Sequence, residues 1–305
     1  MVSHMNFDDV VVKQENIELD LAIYQEAIKL NPQDASAYNK LGSVYFSRGE
    51  YESASIAYKN AIQLVPNNAD THNSLGVAYY EDGRVELAIS ETKRAIEIDP
   101  EHEKAYMNLG VIYTRIGRLE DALVAFEKAI GINPGYADAF YGLGAIRYIQ
   151  SEYNAALVAY KKVVEINPEH TRAQNGLDKI YDLAKGYCQQ AENYYQQGDY
   201  SSACIAFEQA IEVNLDDANA YYGLGTVCHR KGDLRAALIA FKKAIAIQPE
   251  HVRAYMNLGI VYCFFEKYES AMHQIKRAIE ISPEDTKVQR VMEYIHDRLD
   301  GQKTG

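Results

Sequence analysis

Seven prolines set the terms for any fold this chain can adopt. Pro32, Pro66, Pro100, Pro134 and Pro168 recur at a constant spacing of 34, and Pro249 and Pro283 keep the same spacing. Proline disfavours a helical residue before it and is tolerated in the first helical turn, so these prolines punctuate the chain at one recurring boundary. The gap from Pro168 to Pro249 is 81, two periods of 34 with 13 left over. One repeat therefore carries Leu215 in place of its proline, and the remainder is an insertion. The same spacing explains why AYMNLGVIY (105–113) returns as AYMNLGIVY (254–262) 149 positions later, four periods plus the insertion.

Each period reads as two helices. In residues 103–136, Tyr106, Leu109, Ile112 and Tyr113 form one helical face. Gly117 interrupts, and Leu119, Ala122, Leu123, Phe126, Ala129 and Ile130 form a second. No segment alternates with period two, so no strand is predicted. Gly42, Gly76, Gly110, Gly144, Gly225 and Gly259 recur in the first helix, and Ala54, Ala88, Ala122, Ala156, Ala203, Ala237 and Ala271 in the second. Small residues there let the paired helices approach, with Tyr58, Phe126, Tyr160, Phe207 and Phe241 filling the space beside them. Such pairs bury their apolar faces only by stacking along a line.

AYMNLGVIYTRIGRLEDALVAFEKAIGINP resembles the tetratricopeptide repeat, whose signature runs aromatic, L-G, Y, A, F, A and P across one such period. Seven units are in register: 35–68, 69–102, 103–136, 137–170, 184–217, 218–251 and 252–285. The usual tryptophan is replaced by Tyr38, His72, Tyr106, Phe140, Tyr187, Tyr221 and Tyr255. The resemblance implies an all-α fold, an α-solenoid forming a right-handed superhelix of helix-turn-helix repeats.

The insertion divides the chain. TRAQNGLDKIYDLAKG (171–186) matches TKVQRVMEYIHDRLDG (286–301), which follows the last full repeat where a capping helix is expected. The predicted organisation has a tag remnant and degenerate first helix over 1–16. A first array spans 17–183, with a partial repeat, four repeats and a capping helix at 171–183. A second array spans 184–299 with its cap at 286–299, and 300–305 form a flexible tail. With only Gly186 as a turn signal at the seam, residues 171–197 are predicted to form one long helix, with a pronounced bend at Ala184–Gly186, a hinge between the arrays, as the alternative.

Charge and motifs narrow the function. With 43 acidic against 31 basic residues the net charge is −12, which argues against nucleic acid or an anionic membrane as partner. No apolar run reaches the ~18 residues of a membrane span, and a cytoplasmic location is the default. Ser3-His4-Met5 reads as a cloning remnant, which leaves open whether a signal or anchor lies upstream of this chain. The four cysteines form no C-x-x-C pair and read as small hydrophobes of a reduced compartment. P-E-H recurs at His102, His170 and His251, at least a repeat apart, and these are expected to be solvated turn residues rather than metal ligands. No nucleophile–base pair, phosphate loop or metal motif is present, so a non-catalytic protein without cofactor is expected.

The resemblance implies protein recognition in a concave groove lined by the first helices, at places 2, 5, 6, 9, 12 and 13 of each unit. Those places carry Asn73, Met107, Asn108, Val111, Tyr141, Tyr148, Tyr222, Met256, Asn257 and Ile260, an apolar lining rich in Tyr and Met. No clear unit has lysine at place 5, which argues against a carboxylate clamp, and only Asn108 and Asn257 could form rungs of an asparagine ladder. The expected partner is a polypeptide held by an adaptor, scaffold or assembly factor. The alternatives are a self-associating structural protein, hence a homo-oligomer, and the accessory region of a larger enzyme or membrane-anchored protein.

Overall fold

The computed structural model describes residues 7–303, with side chains over 17–300. Residues 1–6, the start of the segment read as tag remnant and degenerate first helix at 1–16, lie outside the described residues. Among the described residues there are sixteen α-helices and no strand. They are α1 (Phe7–Leu30), α2 (Ala35–Ser47), α3 (Tyr51–Leu64), α4 (Ala69–Glu81), α5 (Val85–Ile98), α6 (Glu103–Arg115), α7 (Leu119–Ile132) and α8 (Ala137–Ile149). Then follow α9 (Tyr153–Ile166), α10 (Thr171–Gln196), α11 (Tyr200–Val213), α12 (Ala218–Lys231), α13 (Leu234–Ile247), α14 (Val252–Phe264), α15 (Tyr268–Ile281) and α16 (Thr286–Lys303).

Two compact units emerge. The first comprises the chain up to Ile146 together with Lys162–Glu169; the second comprises Arg147–Lys161 and the chain from His170 onward. The division falls within α8 and α9 rather than at 183/184, where the inserted residues had placed it. In a linear stack each repeat touches only its neighbours, so no single seam is forced by packing. Two sequence boundaries also differ. No Gly or Pro interrupts residues 7–30, so α1 runs unbroken and has no separate degenerate helix ending at 16. At the other end α16 continues to Lys303 instead of giving way to a tail at 300. Thr171–Gln196 is one helix of 26 residues, as predicted, so the cap at 171–183 and the first helix of the next repeat are continuous. At 1.5 Å per residue it is about 39 Å long.

Helix ends follow from local chemistry. In the first unit Asp34 and Asn68 accept the backbone N–H three residues on, from Ala37 and Thr71, both at 3.0 Å. Asp217 does the same for Ala220 in the second unit. The three P-E-H histidines hold this capping position too. His102 Nδ1 accepts from Ala105 N–H at 3.3 Å, His170 Nδ1 from Ala173 at 3.1 Å and His251 Nδ1 from Ala254 at 3.2 Å. The expectation of solvated turn residues fails here, for His102 and His251 are only 6% and 8% exposed.

Close helix approach explains the glycine rows. The seven recurrent alanines of the second helices are all fully buried. In the first unit Phe126 is wedged between two glycines: a Cβ on Gly110 would lie 2.6 Å from its ring, and one on Gly142 2.5 Å. In the second unit Gly225 admits Phe241 the same way, and Gly223 admits Phe207. Gly142 and Gly223 thus interrupt the asparagine ladder because a neighbouring ring occupies the side-chain volume.

Candidate functional site on the first helices

Each unit presents its first helices side by side. α2, α4 and α6 touch in turn in the first unit, and α10, α12, α14 and α16 do so in the second. We take this shared surface of the first helices as the inner face of each stack; the places predicted to line a groove are on these helices.

Contacts across this face obey one rule. Place 5 or 12 of one repeat meets place 6 or 13 of the next. In the first unit Asn108 Nδ2 donates to Asn73 Oδ1 at 2.9 Å, and the Arg115 guanidinium lies 4.8 Å from the Tyr80 ring centroid. In the second, Asn257 Nδ2 donates to the Tyr222 hydroxyl at a long 3.5 Å and Arg230 Nε to the Tyr195 hydroxyl at 3.1 Å. His229 meets the Phe264 ring edge-on at 5.5 Å. Asn108 and Asn257, read as rungs for a peptide backbone, each already spend one amide proton on the neighbouring repeat.

The apolar candidates divide between core and surface. Met107 and Val111 are half-buried and pack on the cluster around Leu109, Phe126 and Ala139. Tyr141 is half-buried on α8. Asn73 is 8% exposed, more buried than a groove residue should be. In the second unit Met256 packs beside Tyr255 and Ile275, and Tyr222 lies 5.9 Å from Phe241 and 4.9 Å from His251, centroid to centroid. Tyr148 braces the helix turn, edge-on to Tyr153 at 5.5 Å, and Tyr195 lies tilted against Tyr200 at 5.6 Å at the equivalent place. Ile260 lines a cavity of about 340 Å³ with Cys263, Phe264, Arg290, Val291 and Tyr294.

Chemistry at the titratable groups is quiet. Burial pushes the thiols of Cys188 and Cys228 up to about 12 and raises that of Cys263, leaving them thiols at neutral pH. All four cysteines are free. Among the described residues no group of His, Cys, Asp or Glu is arranged to hold a metal ion. Nor is any described helix long and apolar enough to cross a membrane.

The sequence reading passed over one surface. Place 22, on the outer side of the second helix, carries Ile56 and Val124 in the first unit and Val158, Ile205 and Ile239 in the second, each 55–62% exposed. The signal was available as an aliphatic residue at this place in five of the seven repeats, Ser90 and His273 being the exceptions, but it was not separated from the core periodicity of the same helix.

Profiles described as "TPR repeat" match residues 9–47, 42–83 and 78–117, and profiles described as "Tetratricopeptide repeat" match 103–136, 137–170, 188–251 and 229–293. The chain belongs to the tetratricopeptide-repeat family. It is an all-α solenoid of such repeats and a protein-binding scaffold by family. No curated protein matches the chain. Among solved structures, MamA is similar at 25% identity, covering 55% of this chain and 99% of that one, with a TM-score of 0.47. YrrB, described as a TPR protein with an unusual peptide-binding site, shows 23% identity over 66% of this chain and 97% of its own, TM-score 0.33. A tetratricopeptide repeat protein from Parabacteroides merdae shows 19% identity over 87% of this chain and 99% of its own, TM-score 0.43.

Proposed function

We propose that this tetratricopeptide protein is a non-catalytic adaptor or assembly scaffold that holds a polypeptide segment against the inner face of its first helices. Met107, Val111 and Tyr141 would make the apolar contacts in the first unit, and Tyr222, Met256 and Ile260 in the second. The observation that carries this reading is their incomplete burial. Large apolar side chains stand half-open on the inner face while alanines fill the buried positions of the second helices. A bound segment would complete their removal from water at about 25 cal/mol per Å². Asn108 and Asn257 keep further hydrogen-bonding capacity for a peptide backbone beside the bonds they make between repeats. We further read the repeats, by sequence, as two arrays at 17–183 and 184–299 whose junction runs through α10, a division distinct from that of the compact units.

The test combines binding and stability on Tyr141→Ala and Tyr222→Ala. Capture of partner polypeptides from the native host and thermal melting are measured on the same samples. Groove residues lose capture, each truncation costing ~2 kcal/mol or more of binding, with a small change in Tm. Unchanged capture with a large fall in Tm would make both tyrosines core.

A further inference from the structure

The cavity between α14 and α16 differs from the rest of the inner face in its charge. Its walls are apolar, from Ile260, Cys263, Phe264, Val291 and Tyr294, and the charged residue among its lining is the cation Arg290. A second guanidinium, Arg298, lies over the Tyr294 ring at 5.3 Å. Phe264 and Tyr294 are 61% and 48% exposed, so the mouth is open. Neither Arg290 nor Arg298 makes an ion pair among the described residues, although the chain carries 43 acidic residues and a net charge of −12. Two arginines without an ion pair among the described residues, beside exposed rings, set cationic groups next to an apolar hollow in an otherwise acidic protein.

A cap does not need this composition. At the equivalent places of 171–183 the chain has Asn175, Gly176, Lys179 and Leu183 where the last helix has Arg290, Val291, Tyr294 and Arg298. Gly176 is closed by the Tyr160 ring, which a Cβ there would meet at 2.6 Å. At the last cap the corresponding Val291 lines open space instead.

The geometry points to a second polypeptide contact at this cap: a cavity that takes one bulky apolar side chain of an acidic segment, whose flanking carboxylates pair with Arg290 and Arg298. The volume, about 340 Å³, lies near the lower end of the roughly 300–1,000 Å³ of ligand pockets, which suits an anchor side chain rather than a whole helix. Arginine offers carboxylates a bidentate fork, and the rings supply the apolar wall. The inference rests on the inner-face reading, since Ile260 belongs to both.

The test is selection of a random phage-displayed peptide library on the full chain. The peptides recovered are then measured by fluorescence anisotropy against the chain, against Arg290→Glu with Tyr294→Ser, and against Met107→Ala with Tyr222→Ala. Both cap positions are exposed, and circular dichroism melting of every variant accompanies the binding data. Expected are peptides with one aromatic or large aliphatic residue bounded by Asp or Glu. Their affinity falls at least tenfold in the cap variant at unchanged Tm and weakens as salt rises. Peptides without acidic bias, or indifferent to the cap variant, overturn the inference; if they lose affinity in the Met107 and Tyr222 variant, the inner-face reading stands. Peptides sensitive only to the cap variant support the cap and count against the wider face. A library that yields no binder overturns both. Sedimentation velocity closes the remaining route: self-association abolished by the cap variant would make the occupant a second copy of this chain and overturn an external acidic segment.

Discussion

Asn108 donates its amide to Asn73 at 2.9 Å, joining the first helices of adjacent repeats. Asn73 is almost wholly buried, so the bond also satisfies an acceptor that water reaches poorly. A net hydrogen bond contributes about 0.5–1.5 kcal/mol, whereas an orphaned buried partner costs about 1–3 kcal/mol. Asn108→Ala is therefore expected to destabilise the protein by about 1–3 kcal/mol. In a double-mutant cycle Asn73→Ala and Asn108→Ala should couple by about 1 kcal/mol, read from urea unfolding. Strict additivity would show that Asn108 does not hold the repeats together.

Gly186 lies in the middle of α10, exposed, and an added Cβ there would meet nothing within 4 Å. Alanine is favoured over glycine in a helix interior by about 0.8–1 kcal/mol. Gly186→Ala is expected to raise stability by about that amount and to leave partner binding unchanged. Destabilisation would mean the helix bends at this point and uses the freedom of glycine.

The turn between paired helices demands a left-handed residue. Gly117 has φ 76°, and Gly232 φ 83°. Ser151 and Glu266 occupy the same place with φ 62° and 58°, a conformation that costs a side-chain-bearing residue about 1–2 kcal/mol. After the greater entropy of glycine in the unfolded chain is set against this, Ser151→Gly and Glu266→Gly should each stabilise by about 0.5–1 kcal/mol. Thermal melts that fall instead of rising would refute the assignment.

The histidine caps make one repeat boundary acid-sensitive. His251 Nδ1 accepts the Ala254 N–H, so protonation there removes the cap. Burial, with a smaller contribution from Arg253, holds the pKa of His251 below its usual value of 6.5. Below that value the unfolded chain takes up a proton that the folded one resists. The contribution to stability is thus complete above pH 6.5 and is lost as pH falls through the depressed folded value. His251→Asn keeps a cap acceptor without a titrating group. Its urea midpoint should fall less than that of the native chain between pH 7 and pH 5. Parallel pH profiles would show that His251 does not carry the effect.

Periodicity made the fold legible because every repeat solves the same packing problem. The spacing of Pro, of the Gly row and of the Ala row named the helices, and the lack of a breaker other than Gly186 predicted α10. Features that depend on two repeats at once were hidden. Gly142 reads as a missing asparagine until the Phe126 ring of the preceding repeat is seen against it. His102 and His251 read as solvated until the cap and the neighbouring repeat bury them. Asn73 has the groove phase of Met107, yet only contact with α6 shows that it is spent on the interior.

Two apolar surfaces are candidates for the proposed partner contact: the inner face at place 9, with Val111 and Ile260, and the outer row at place 22, with Val124 and Ile239, 59% and 62% exposed. The most direct measurement places a benzoylphenylalanine photocrosslinker at 111, 260, 124 or 239 in turn and irradiates the folded protein with its native-host partners. The account predicts adducts to a polypeptide from 111 and 260, and none from 124 and 239. Adducts confined to 124 and 239 would contradict it and move recognition to the outer row.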